Sequence, residues 1–393
     1  MDLRCAMTDI AAVHTDLSDT SAAAEDLARQ INASLPAAPD AIILFASAQF
    51  DYEAFLRIIN DRCKPGILVG SSSAGEFTHA AQGVGTASAL ALRSDSLVFS
   101  AGLGSDVARD SRNAARQLLT NFQGMKPGKH GYRAALVMTD ALAGHAEEFV
   151  DEMTVLTSGR YLLAGGGAGD DANFSSTHVF LGTRAYTDSA VALEILSDKP
   201  IGVGVGHGWE PAGAPLRATE VDGMRVVGFD GFPAVEAFER HAAATGQQFN
   251  RDDPLPFFLH NILGIETGAG YRLRVPLAVN SDGSIQCAAE IPELARVFIM
   301  GTTSESAAIA ARRATTAAVD ALGEARPGGA LFFDCVATRL RLGDEFGHEL
   351  GMVAESLAGA PFVGCNTYGQ IARSDSQFSG FHNCTAVVLA LPA

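Results

Sequence analysis

The sequence is short of positive charge. Its 393 residues carry 28 Lys and Arg against 45 Asp and Glu, a formal net charge of -17 at pH 7. No basic run offsets this, so the chain repels phosphate backbones and anionic lipid surfaces, and neither nucleic acid nor a membrane is expected as a partner. Long apolar runs are also missing. Ala41 to Ala46 and Thr385 to Leu391 are strand-length, far below the ~20 residues that a membrane-crossing helix needs. Close cysteine pairs are absent. Cys5, Cys63, Cys287, Cys335, Cys365 and Cys384 stand far apart, which excludes CxxC redox chemistry, zinc knuckles and covalent haem attachment, and predicts reduced, buried thiols. The histidines form no HxH or HExxH pattern, so a dedicated zinc site is not expected. Met1 to Asp9 lacks the apolar core of a secretory signal, and a cytoplasmic location is expected.

Glycine and apolar residues are plentiful: 41 Gly, 47% hydrophobic and 19% charged. Single cores stop growing near ~250–300 residues, so two lobes are expected. Their class reads as α/β with mixed sheets, because three segments repeat one order of signals: apolar run, helical stretch, apolar run, glycine-rich box, apolar run. The first opens at Ala41, the second at Ala134 and the third at Ala330. Before the second and third units the spacing predicts a strand (Leu97 to Ala101; Arg296 to Met300) and an Ala/Arg-rich helix (Ser105 to Phe122; Ser304 to Leu322). A further helix is predicted from Asp344 to Leu357. Between the halves lie a Gly-alternating run from Gly202 to Gly206, the single Trp209, a strand from Leu216 to Asp222, a helix from Pro233 to Ala244, and a hairpin turning at Asn280 to Gly283.

The boxes are the most informative sites, since glycines at a strand end let backbone N–H groups approach a ligand or another strand. Gly70 and Gly75, Ala164 and Gly169, and Gly364 and Gly369 share one spacing. It mimics a P-loop, but Glu76, Asp170 and Gln370 follow where lysine is required, so a nucleotide reading fails. An acidic or amide side chain there suits a ligand with donor groups, such as an amine. The candidate ligand contacts are Ser72, Ser73, Gly75, Glu76, Asp140, Gly166, Gly167, Asp170, Asn366, Tyr368 and Gly369. The bland alternative is a set of tight strand connections. Asp140 and Asp334 end first strands, where open α/β sheets place ligand groups; capping is favoured for Asp334 and Asp140 is left open. Ser72, Cys365 and Asp140 are the residues a hydrolase or transferase would use, but no base can be assigned to them.

Several stretches carry a resemblance: Val69-Gly-Ser-Ser-Ser-Ala-Gly-Glu76, Gly206-His-Gly-Trp-Glu-Pro211, Phe229-Asp-Gly-Phe-Pro-Ala234, Arg274-Val-Pro-Leu-Ala278, Phe362 to Ile371, and Phe381-His-Asn-Cys-Thr385. Together they resemble the N- and C-terminal halves of FIST proteins. The resemblance implies a lead segment (1–29), an N-terminal domain (30–225) and a C-terminal domain (226–393). It implies a non-enzymatic sensor of small ligands, amino acids among them, that acts on a separate signalling protein; a homo-oligomer is compatible with it. A free-standing chain of this length resembles the family's nitric-oxide-sensing haem proteins, which act on a histidine kinase or a cyclic-di-GMP enzyme. In that version haem b would take one histidine as its iron ligand, with His260, His382 and His348 as alternatives. The other versions are a metabolite sensor without haem, an enzyme using the box Ser or Cys, and a purely structural assembly protein.

Overall fold

The structure is a computed structural model that describes residues 8–126, 128–268, 270–374 and 379–393. Three sheets of six strands and one of nine are formed by the described residues. The class is mixed α/β, as the sequence predicts. Cys5 lies outside the described residues; the other five cysteines are buried free thiols.

The repeat is real and its geometry is uniform. In each unit two parallel strands flank a helical crossover: Ala41–Ala46 with Ile67–Ser72, Tyr132–Thr139 with Leu162–Gly167, and Pro327–Cys335 with Phe362–Thr367. The unit's last strand returns antiparallel on the other side of the first: Ala87–Ser94, Ser189–Ser197 and Ala386–Pro392. Beyond the second strand, each sheet is completed by a hairpin from a different unit. The first unit's Glu76–Thr78 pairs with the third sheet, the second unit's Val179–Leu181 with the first, and the third unit's Gln370–Arg373 with the second. The exchange closes a ring. Inner faces of all three sheets share one core, with Ile43, Phe45, Leu136, Met138, Leu331 and Phe333 all below 2% exposed. Each such side chain contributes roughly 1.5–3 kcal/mol by burial. Helices cover the outer faces.

Arg296–Gly301 directly precedes the third unit's helix Ser304–Asp320, as expected, but the strand that takes the sheet position of Leu97–Ser105 is Gly202–Gly206, which pairs with Ala386–Pro392. Its alternating glycines explain the choice. A Cβ on Gly202 or Gly204 would lie 1.8 Å from the carbonyl oxygen of Ala318 or Ala314, so only glycine lets strand and helix backbones touch. Residues 207–303 are thus inserted between that strand and that helix. They form the nine-stranded sheet, in which Arg296–Gly301 sits between Leu216–Asp222 and Ile262–Thr267.

Three smaller expectations are corrected. The helix foreseen from Ser105 begins at Ser111, because the strand runs on to Ser105 and Asp110 accepts a hydrogen bond from the Asn113 N–H as its cap. The helix foreseen from Asp344 to Leu357 is present but starts at Phe346, and a helix that was not foreseen, Val336–Leu342, precedes it across Gly343 with φ +55°. The hairpin turn at Asn280 to Gly283 is present, but Gly270–Arg274 pairs with Ile262–Thr267 and only Pro276–Val279 with Ile285–Cys287.

Candidate functional site

The second strands of the three units end together on the ring axis. Gly70, Gly165 and Gly364 are equivalent, each facing the carbonyl of its parallel neighbour: Leu44, Val137 or Phe332. Counting from them makes Asp171, not Asp170, the counterpart of Glu76 and Gln370, so the box alignment read from Ala164 is one residue out. Backbone hydrogen bonds link the three strand ends around the axis, in both directions at two of the junctions. Ala74 N–H donates to the Asn366 carbonyl (3.0 Å), Tyr368 N–H to Gly167 (2.9 Å), and Gly169 N–H to Ser72 (3.0 Å). The Asn366 and Gly167 N–H groups donate to the Gly75 and Gly369 carbonyls at 2.8 and 2.9 Å.

This junction brings the sequence-selected residues together and buries most of them. The Ser72 hydroxyl accepts from the His178 N–H at 2.9 Å, and Ser73 donates to Glu76. Glu76 is fully buried and also accepts from the Thr86 N–H and hydroxyl at 3.2 and 2.6 Å. Burial raises its pKa to about 7, against the opposing pull of the Ser73 and Thr86 hydrogen bonds. Arg339, which no motif marked, lies against Gly75 and feels Glu76 and Asp171 as its nearest opposite charges. Burial would raise Asp170, but hydrogen bonds from Tyr368 and from the N–H groups of Ser176, Ser175 and Phe174 outweigh it and hold the carboxylate low. Asn366 is fully buried, with neither side-chain atom hydrogen-bonded.

The structure settles the role of Asp140, which the sequence leaves open, and corrects that of Asp334, which was expected to cap. Asp140 accepts from the Leu142 N–H, the Thr177 hydroxyl and the Asp188 N–H, so it is the cap. Asp334 caps no helix. Its carboxyl is buried facing Glu349, and burial raises it to about 7.

Beside the junction, where the second and third units meet the inserted sheet, lies a cavity of about 870 Å³. Tyr368 and Gly369 are the only sequence-selected residues among those that line it. One wall is the loop and helix start from Ala141 to Glu152; the others come from the insert (Leu259, Val275, Leu277, Ala288) and from Cys335 to Leu340. Leu142, Phe174, Met224 and Leu340, between 41% and 45% exposed, surround its mouth. Phe174 stacks on Tyr368 at 4.5 Å between centroids. Glu147, Glu148, Asp151, Glu152 and Glu290 line it, and among the described residues no Lys or Arg does. Glu147 is neutralised by Arg272 and by the fully buried Arg274, which joins the insert to the second unit, and Glu152 by Arg112. Glu148, Asp151 and Glu290 have no Lys or Arg partner among the described residues, and burial followed by the Glu147 charge raises Asp151. Glu148 faces His145 at 3.4 Å, so the site combines an apolar interior with an excess of carboxylates over basic groups. These lining residues escaped sequence reading because they are ordinary leucines, alanines and glutamates gathered from distant segments.

The three candidate iron ligands do not fit a haem here. His260 and His348 are exposed, and His348 faces Glu305 at 3.4 Å. His382 is 3% exposed, and burial with Arg272, Arg274 and His207 nearby drives its pKa down to about 3. None lines the 870 Å³ cavity. Among the described residues no group of three metal-ligating side chains converges, and no helix is long and apolar enough to cross a membrane.

Residues 40–231 match the FIST N domain and residues 234–373 the FIST C domain. No curated protein was found to match the sequence. Among solved structures, cyanuric acid hydrolase from A. caulinodans aligns over 98% of this chain and 100% of its own, at 8% identity and a TM-score of 0.35. T. maritima PurL complexed with FGAR aligns over 98% and 72%, at 10% identity and 0.24. Likenesses at that level carry no argument about chemistry. The two domain matches run nearly end to end from residue 40 to 373, and the chain belongs to the FIST family, whose domains are sensory modules of signal transduction.

Proposed function

We propose that this chain senses a small molecule with an apolar body and a positively charged amine, an aralkylamine or an apolar amino acid, and binds it without turnover. The observation that carries this reading is the 870 Å³ cavity, whose walls come from both family domains. A ligand there bridges Ala141 to Glu152 on one side and the insert and Val336 to Leu340 on the other. Coupling to a signalling partner then needs only that the two walls bind the ligand better in one arrangement than in another. The acidic lining selects for a cation, and the apolar mouth selects for a hydrocarbon body.

Binding without turnover is supported by the state of the nucleophile candidates. Ser72 is fully buried and spends its hydroxyl on the His178 backbone. Cys365 is fully buried, and burial, then the Glu76 charge, pushes its thiol well above the ordinary range.

A thermal-denaturation screen of amines and amino acids tests the proposal. A ligand at about 100 times its Kd stabilises the folded chain by about 2.7 kcal/mol. The shift is expected for aralkylamines and to vanish in Ala289→Phe, which fills the cavity. Product formation from any stabilising compound, lost in Cys365→Ala or Ser72→Ala while binding persists, would establish the enzymatic reading instead.

A further inference from the structure

At the opposite end of the second unit lies a second cleft, of about 510 Å³. The cavity described above opens after the carboxyl end of strand Tyr132–Thr139, and this cleft lies at its amino end. Eight residues at ~3.3 Å each separate them by roughly 25 Å. The cleft has an apolar floor that includes Ile201 and Val203, and three arginines at its walls: Arg133, Arg160 and Arg373.

Two of the arginines are held by backbone carbonyls, and none by a carboxylate of the described residues. Arg373 Nη1 donates to the Tyr161 carbonyl at 2.7 Å. Its other amino nitrogen passes over Gly159, where a Cβ would lie 2.7 Å away, so the glycine makes room for the guanidinium. Arg160 Nε donates to the Thr157 carbonyl at 3.1 Å. Arg133 Nε is buried without a hydrogen-bond partner among the described residues. None of the three forms an ion pair with a carboxylate of the described residues. Of the described carboxylates close by in sequence, Asp320 beside Ala321 forms no ion pair with these arginines, and two others have partners of their own. Asp198 pairs with His130, and Glu194 accepts from Ser100, Tyr161 and the N–H groups of Gln123 and Gly124.

In a chain with 45 acidic and 28 basic residues, three guanidiniums in one concavity with no carboxylate partner among the described residues are unexpected. Each has guanidinium N–H groups with no acceptor among the described residues, in the fork geometry that matches oxyanions. We infer that this cleft is a binding site for a small, multiply charged oxyanion, distinct from the amine site. The phosphates of a phosphorylated metabolite and the carboxylates of a di- or tricarboxylate share that chemistry.

Calorimetric titration of the full chain with pyrophosphate and, separately, with citrate tests the assignment and separates the two sources. One saturable site is expected for at least one of them, weakening as NaCl is raised. Removing one charge-assisted contact should cost about tenfold or more in Kd, so Arg160→Gln and Arg373→Gln should each lose that much. The exposed Arg296→Gln, on the inserted sheet, should lose nothing. Arg160 is itself exposed, so its variant keeps the test valid should Arg133→Gln misfold. Absence of saturable binding by both anions overturns the inference, as does affinity unchanged in the Arg160→Gln, Arg373→Gln double variant. So does binding of a polyglutamate peptide alone, which would make the cleft a protein-docking surface. Aralkylamine binding is measured separately, so failure here leaves the amine proposal standing, and the reverse.

Discussion

Replacing Glu76 by Gln should abolish part of the pH dependence of stability, and its sign is set by burial. An ordinary glutamate titrates near 4.5; inside the junction burial lifts Glu76 to about 7, despite hydrogen bonds from Ser73 and Thr86. Between those values the folded chain keeps a proton that the unfolded chain has lost. Stability from this group is therefore fully present below pH 4.5, and declines as pH rises through about 7. The difference between the two pKa values corresponds to about 3 kcal/mol. Asp334, raised to about 7 beside Glu349, acts in the same direction, so the wild-type profile contains both contributions. Glu76→Gln keeps the size of the protonated acid and cannot ionise. Urea denaturation at fixed temperature from pH 5 to 8.5 should show wild type losing about 3 kcal/mol more than the variant. Parallel profiles, differing only by a constant offset, would refute the argument that Glu76 is held protonated by desolvation.

Other substitutions probe the frame and the site. Gly165→Ala puts a Cβ 1.9 Å from the Val137 carbonyl at a φ of +142° and should cost more than about 3 kcal/mol, seen as loss of soluble, cooperatively folding protein. Arg274→Ala strips Glu147 of its buried partner and should cost about 3–5 kcal/mol by chemical denaturation, whereas Arg274→Met combined with Glu147→Gln should recover much of it. Tyr368→Phe removes the hydroxyl that Asp170 accepts while keeping the stack on Phe174, so it should lower stability by about 1–2 kcal/mol and leave amine affinity within a few fold.

Much of the frame was legible because its signals are local. Apolar runs bounded by glycine gave the three parallel pairs, and Leu216 to Asp222 was read to the residue. The exchanged hairpins were not legible: Glu76–Thr78 pairs with a strand nearly 300 residues away, and nothing in a three-residue strand names its neighbour. The Gly-alternating run at Gly202 was noticed, yet its role depends on close contact with a helix that starts about 100 residues later. The boxes do converge, but most of their side chains are consumed in holding the ring together. The cavity that opens beside them draws its character from Leu142, Leu340 and Asp151, which carry no motif. Asp334 was assigned to capping by its place at a strand end; facing Glu349 from another helix turned it into the core, a contact that spacing cannot express.

Trp209, the only tryptophan, is buried in one hydrophobic cluster with Val275, Cys335 and Ala337, all three of which line the cavity. Its fluorescence, titrated with phenethylamine, reports directly on whether a ligand enters between the two domains. A saturable change in the wild-type chain that disappears in Ala337→Phe is the predicted result. A wild-type signal that stays flat with phenethylamine and with apolar amino acids, while the thermal midpoint does not move, would contradict the account.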